Sequence, residues 1–144
     1  MVNNPQALIA TLKAQHRTIQ EDLRQLLQGF SSQNSLDGGV VLAGLSKLKN
    51  DVLGHLELEN GVFYPDYLAK KSANGQDITQ TEEFIKVMDN IGKEFLAFLE
   101  KYNNTNTIEN SKTDLFKELN DITATINTRI ETEEEGVFDL YLVS

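Results

Sequence analysis

Apolar residues recur at helical spacing in four stretches of the chain. Between about Asn4 and Gln28, Leu8, Leu12, Ile19, Leu23, Leu26 and Leu27 form one stripe, as an amphipathic helix requires. Pro5 suits its first turn and Gly29 supplies a C-terminal stop. "GFSSQNSLDGG" reads as a turn-rich loop. A second helical stretch, from about Leu36 to Ala69, turns Val41, Leu45, Leu48, Val52, Leu56, Val62 and Phe63 inward. Pro65 should kink or interrupt it, because a mid-helix proline removes a hydrogen bond and clashes with the preceding turn. After the loop "KKSANGQDIT", Thr79 or Thr81 is expected to cap a third helix, and "TQTE" has capping-box spacing. Its stripe is Phe84, Val87, Met88, Ile91, Phe95, Phe98 and Leu99. "YNNTNTIENS" reads as a polar connector, and a fourth helix carries Leu115, Leu119, Ile122, Ile126 and Val137. Few strand-like runs compete, so the expected fold is all-α: an antiparallel up-down four-helix bundle, one domain over residues 1–144.

An internal echo supports a two-hairpin design. "ENGVFYPDYL" (59–68) resembles "EEGVFDLYL" (134–142), with Gly61 and Gly136 in matching places. The echo aligns two acidic segments near the ends of the second and fourth helices.

Composition narrows the function classes. With 144 residues, 40% hydrophobic and 24% charged, the chain can bury a sizeable core. It carries no cysteine, which removes disulfides, zinc–thiolate sites, iron–sulfur clusters and thiol catalysis. A formal charge of −9, without a basic stripe, argues against nucleic-acid binding, since phosphates would be repelled. No apolar run reaches the roughly 18 residues of a membrane span. The opening "MVNNPQALIATLK" lacks the basic flank and apolar block of a signal peptide, so a cytoplasmic location is expected. Serine-hydrolase, P-loop and dinucleotide motifs are absent.

The two histidines carry the remaining chemistry. His16 lies on the stripe of Leu12, Ile19 and Leu23. His55 lies on that of Leu48 and Val52, and Glu59 follows one turn later on the same face. A histidine and a glutamate at i and i+4 project side by side and can share one metal ion. "RIETEEEGVF" brings Glu133 and Glu134 near the inward stripe of Ile126 and Val137. Each feature has a plainer reading alone: a hydrogen-bonded core histidine, a surface salt bridge, a solvated acidic face. Together they fall at compatible heights, and buried carboxylates need a cation or a proton. Two imidazoles and two carboxylates would suit non-haem iron or manganese, with zinc competing on affinity.

At "AQHRTI", "HLELENGVFYP" and "RIETEEEGVF" the chain resembles the hemerythrin-like, or HHE cation-binding, family over essentially its whole length. The resemblance implies a four-helix bundle whose helices supply histidines and two bridging carboxylates to a di-iron centre. On it, His16 matches the first-helix histidine, His55 the second-helix histidine, and Glu59 one bridging carboxylate. The other falls on Glu134 if the echo sets the register. It falls on Glu133 if the Ile126 stripe does, and that register also pairs Arg129 with His55.

The departures are specific. The family's third-helix histidine should fall near Met88 to Ile91, where "VMDNIG" has none, and its fourth-helix histidine falls on Arg129 or Ile130. The expected outcome is a reduced, mononuclear site for iron, with manganese or zinc as alternatives and a second ion left open, held by His16, His55, Glu59 and Glu133 or Glu134. It would serve in binding or sensing iron, O2 or a related small ligand; an oxygen-activating enzyme using open coordination positions is a further reading, which no substrate-positioning motif supports. Glu94 is a further candidate, although it fits the inward stripe poorly. The alternative is a metal-free scaffold binding a protein or small ligand, with the Arg129 guanidinium bridging Glu59 and the fourth-helix carboxylate in place of the metal.

Overall fold

The computed structural model describes residues 2–31 and 37–144, except for the side chain of Ser31. The expected helix start at Leu36 and part of the "GFSSQNSLDGG" loop therefore lie outside the described residues. The described elements are α1 (Pro5–Ser31), α2 (Gly38–Leu58), a π-helical turn (Glu59–Phe63), α3 (Tyr64–Ala73), α4 (Thr79–Lys101), α5 (Thr105–Asn110), α6 (Lys112–Thr132), a second π-helical turn (Glu133–Val137) and α7 (Phe138–Leu142). No strand occurs among the described residues. The result is an all-helical bundle in which α1 packs on α2 and α6, and α2 on α4.

The helix ends differ from the sequence expectations in instructive ways. At the start of α1, Asn4 Oδ1 accepts the Ala7 N–H at 3.0 Å, leaving Pro5 where no donor is needed. Its other end runs through Gly29 to Ser31, because Phe30 packs against Phe116 with ring centroids 5.5 Å apart and holds the last turn. Neither Thr79 nor Thr81 caps α4. Asp77 Oδ1 takes the Thr79 N–H at 3.0 Å, while Thr81 is buried and accepts from Lys71 Nζ at 2.8 Å. The polar connector contains α5, capped by Asn104 Oδ1 on the Thr107 N–H at 2.8 Å. It is too short to show periodicity, yet its Ile108 is completely buried. From α5, Glu109 Oε1 reaches the Gly38 N–H at 2.6 Å and satisfies an orphan donor of α2.

The second and fourth long helices each contain a π turn in place of uninterrupted α-helix. Its ring is closed by Tyr64 N–H to Glu59 O in one case, and by Phe138 N–H to Glu133 O in the other. A π turn accommodates an extra residue and shifts the inward face beyond it. Val62, expected inward, is therefore 41% exposed, while Phe63 is fully buried. Pro65 follows in the first turn of α3, so the irregularity begins before it. The second π turn forms without a proline, so proline is not its general cause. On α4, Val87 was likewise expected inward but is exposed at the stripe's edge. Phe84 packs partly buried in the end cluster.

Two apolar clusters fill the bundle. One joins Ile19, Leu23, Val52, Phe95 and Leu119, among others. The other, toward the end carrying the π turns, joins Leu12, Phe63, Tyr64, Phe138 and Tyr141. His16 sits on α1 between Leu12 of one cluster and Ile19 of the other. The polar groups described next thus lie where the two apolar clusters meet. No helix among the described residues is long and apolar enough to cross a membrane.

Candidate metal centre

His16, His55, Glu59 and Glu133 are all buried, and one ligand-type atom from each lies within 4.8 Å of all the others. The helical stripes bring His16 in from α1 and His55 in from α2. Glu59 and Glu133 are the first residues of the two π turns, so equivalent backbone features present both carboxylates. His55 Nε2 is 2.9 Å from Glu59 Oε2. His16 Nε2 is 3.2 Å from Glu133 Oε1 and 3.9 Å from Glu59 Oε2. The imidazole rings meet edge to face with centroids 4.6 Å apart, and Phe138 stacks on His16 at 5.7 Å.

The outer hydrogen bonds fix which ring nitrogens face the centre. His55 Nδ1 lies 2.8 Å from Gln15 Oε1, and His16 Nδ1 lies 2.7 Å from Glu134 Oε2. An amide oxygen and a carboxylate can only accept, so each Nδ1 donates. In the neutral rings, both Nε2 lone pairs then point at the carboxylates. Lone pairs facing each other across 2.9 Å are repulsive unless a cation or proton lies between them. Consistent with that, His16 Nε2 and Glu59 Oε2 are buried without a hydrogen-bond partner. Donor atoms about 2.1 Å from one ion lie about 3 Å apart when cis and about 4 Å apart when trans. The histidine–carboxylate spacings of 2.9, 3.2 and 3.9 Å fall near this range, and imidazole and carboxylate donors suit a metal cation.

The electrostatics agree. Burial pushes the Glu59 carboxyl well above the usual carboxylate range. The neighbouring Glu133 pushes the same way, with a smaller opposing pull from His16. Burial lowers His55, partly countered by Glu133, and so favours its neutral imidazole. Tyr64 donates to Glu133 Oε2 at 2.5 Å. Its phenol is pushed far above its ordinary range by burial and by the two carboxylates, so it remains a donor and leaves Glu133 Oε1 directed to the centre.

The other sequence candidates lie elsewhere. Glu134 stands behind His16, on the far side of the ring from the cluster, and its Oε2 also takes Arg17. The echo pairs Glu59 with Glu134, whereas the π turns pair it with Glu133. Arg129 borders the cluster, lining a cavity of about 50 Å³ together with Met88, Ile91 and Gly92. Among the described residues it forms no ion pair with Glu59 or Glu133, so it does not bridge them. Glu94 is exposed and lines a separate groove of about 240 Å³ between α4 and α6. Sequence reasoning missed Gln15, Arg17 and Tyr64. Gln15 and Arg17 flank His16 but reach groups on other helices, and only the assembled bundle reveals that.

A helical bundle with buried imidazoles and carboxylates converging between its helices defines a class of metal-binding four-helix proteins. Residues 7–141 match the hemerythrin HHE cation-binding domain, and the chain belongs to that family. No curated protein and no solved structure matches it.

Proposed function

We propose that the protein binds one divalent transition-metal ion, iron in the first instance with manganese or zinc as alternatives. The ligands would be His16 Nε2, His55 Nε2, Glu59 and Glu133 Oε1. One observation carries the reading. Four buried donors crowd together with their lone pairs facing inward, and both imidazole protons are already committed outward to Gln15 and Glu134. Two neutral imidazoles and two carboxylates carry a charge of about −2, which a divalent ion balances.

A single ion is favoured because the third long helix lines this cavity with Met88, Ile91, Gly92 and Phe95, none of them a hard donor. Arg129 occupies the corresponding face of α6 and cannot ligate a cation. The small cavity against those residues would leave room for O2 or a comparably small ligand beside the ion. When bound, the metal would supply reversible small-ligand binding or one-electron chemistry. Among this chain's own residues, Tyr64 orients Glu133, Gln15 orients His55, and the apolar clusters exclude water. Binding or sensing of iron or a small ligand is the function this supports.

Elemental analysis of protein produced with iron and manganese supplied tests the proposal. About one metal per chain is expected, lost in His55→Ala while helical circular dichroism persists. Two ions per chain would refute the single-ion assignment, and none would refute the reading.

A further inference from the structure

Glu134 and Arg17 form a tier behind the candidate centre, and its chemistry differs on the two histidines. His55 is backed by the neutral Gln15 amide at 2.8 Å. His16 is backed by a carboxylate at 2.7 Å, and the same oxygen is shared with Arg17 Nη2. His16 is buried, the Glu134 side chain is 18% exposed and that of Arg17 is 58% exposed. A contiguous charged chain therefore runs from solvent to the ring whose other nitrogen faces the carboxylates. Consecutive glutamates make this possible. Glu133 and Glu134 sit one helical step apart in the same π turn, so one carboxylate enters the cluster while the next closes on the back of His16.

We infer that Glu134 is a positioning residue that raises the donor strength of His16, and that Arg17 tunes it in the opposite direction. The inference rests on the metal-binding reading above. A carboxylate accepting the Nδ1 proton fixes the ring's tautomer and orientation and makes Nε2 a stronger base. A guanidinium on the same oxygen draws charge away and weakens that effect. The two residues form a bonded pair, yet their removal should change metal affinity with opposite signs. A purely structural pair would not behave that way.

The test is Co2+ titration of the full chain by visible absorption, comparing wild type, Glu134→Gln and Arg17→Met. Glu134→Gln keeps an acceptor behind His16 and removes only the charge. It should weaken Co2+ binding by about 10–100-fold. Arg17→Met should tighten it by about two- to fivefold, a span limited by the solvent exposure of the guanidinium. Affinities that move together, or that do not move, overturn the inference while leaving the metal reading intact. Failure of wild type to bind Co2+ overturns the metal reading and this inference with it. Imidazole nitrogen NMR of the metal-free chain provides a readout independent of metal. The proton of His16 is expected on Nδ1 in wild type, and a proton found on Nε2 would remove the contact on which the inference stands.

Discussion

Neutralising Glu59 should stabilise the metal-free protein while abolishing its stabilisation by metal. Glu59 and Glu133 are each only 1% exposed, and their facing oxygens are at most 4.8 Å apart. At an effective dielectric constant near 20, two full charges at that separation repel by about 3 kcal/mol. The raised Glu59 pKa favours proton uptake, which relieves some of this. In Glu59→Gln, however, the amide N–H can also donate to the His55 Nε2 lone pair at the position now 2.9 Å away, adding about 1 kcal/mol. A net gain of about 2–3 kcal/mol corresponds to a rise in Tm of about 5–10 °C for a chain of this size.

The pH dependence follows from the raised Glu59 pKa in the folded state. Below the unfolded value of about 4.3, both states hold the proton and the penalty is absent. As pH rises from there through the folded pKa, the unfolded chain releases its proton first, so wild-type stability falls. The advantage of the glutamine variant should thus be largest near pH 8 and close as pH approaches 4. Thermal melts in chelator measure it directly. With metal at about 100 times its Kd, wild type should gain about 2.7 kcal/mol and the variant almost nothing. A glutamine variant that melts below wild type in chelator at pH 8 would refute the repulsion argument, as would a gap that does not depend on pH.

Two further outcomes are expected. Deleting Gly136 should convert the second π turn to plain α-helix and rotate α7 by about 100°, withdrawing Phe138 and Tyr141 from the end cluster. Urea unfolding should show a loss of about 3–5 kcal/mol, as for truncating a buried aromatic, and an unchanged midpoint would contradict the register role of the turn. Glu109→Ala should speed hydrogen exchange at the Gly38 amide, whose acceptor is Glu109 Oε1. Lys112 and that amide hold the Glu109 carboxyl below its usual range. The protection in wild type should therefore persist above pH 4.3 and fade only as pH drops through the lower folded value; a constant exchange protection factor would count against the contact.

The sequence by itself determined most of the scaffold. Apolar spacing was enough for the four long helices, because a bundle buries one stripe per helix and that stripe is local information. It also put His16, His55 and Glu59 on inward stripes, since each follows its neighbours at helical spacing. The limits of pattern reading appear where a non-local contact outweighs local preference. α1 passes its glycine because Phe30 finds Phe116, and α5 exists because Ile108 finds the core. Asp77 rather than a threonine supplies the side-chain acceptor at the start of α4.

Only the tertiary structure brings Glu133, and not Glu134, into the buried group with His16, His55 and Glu59. Periodicity assumes a constant α-helical rotation per residue, and the π turn at Glu133–Val137 breaks that assumption at the position where the choice falls. The sequence echo pointed one residue further along, to the carboxylate that closes on His16 from behind. The groups that fix the donor atoms, Gln15 on His55 and Tyr64 on Glu133, lie far from their partners in sequence. They meet only once the helices pack.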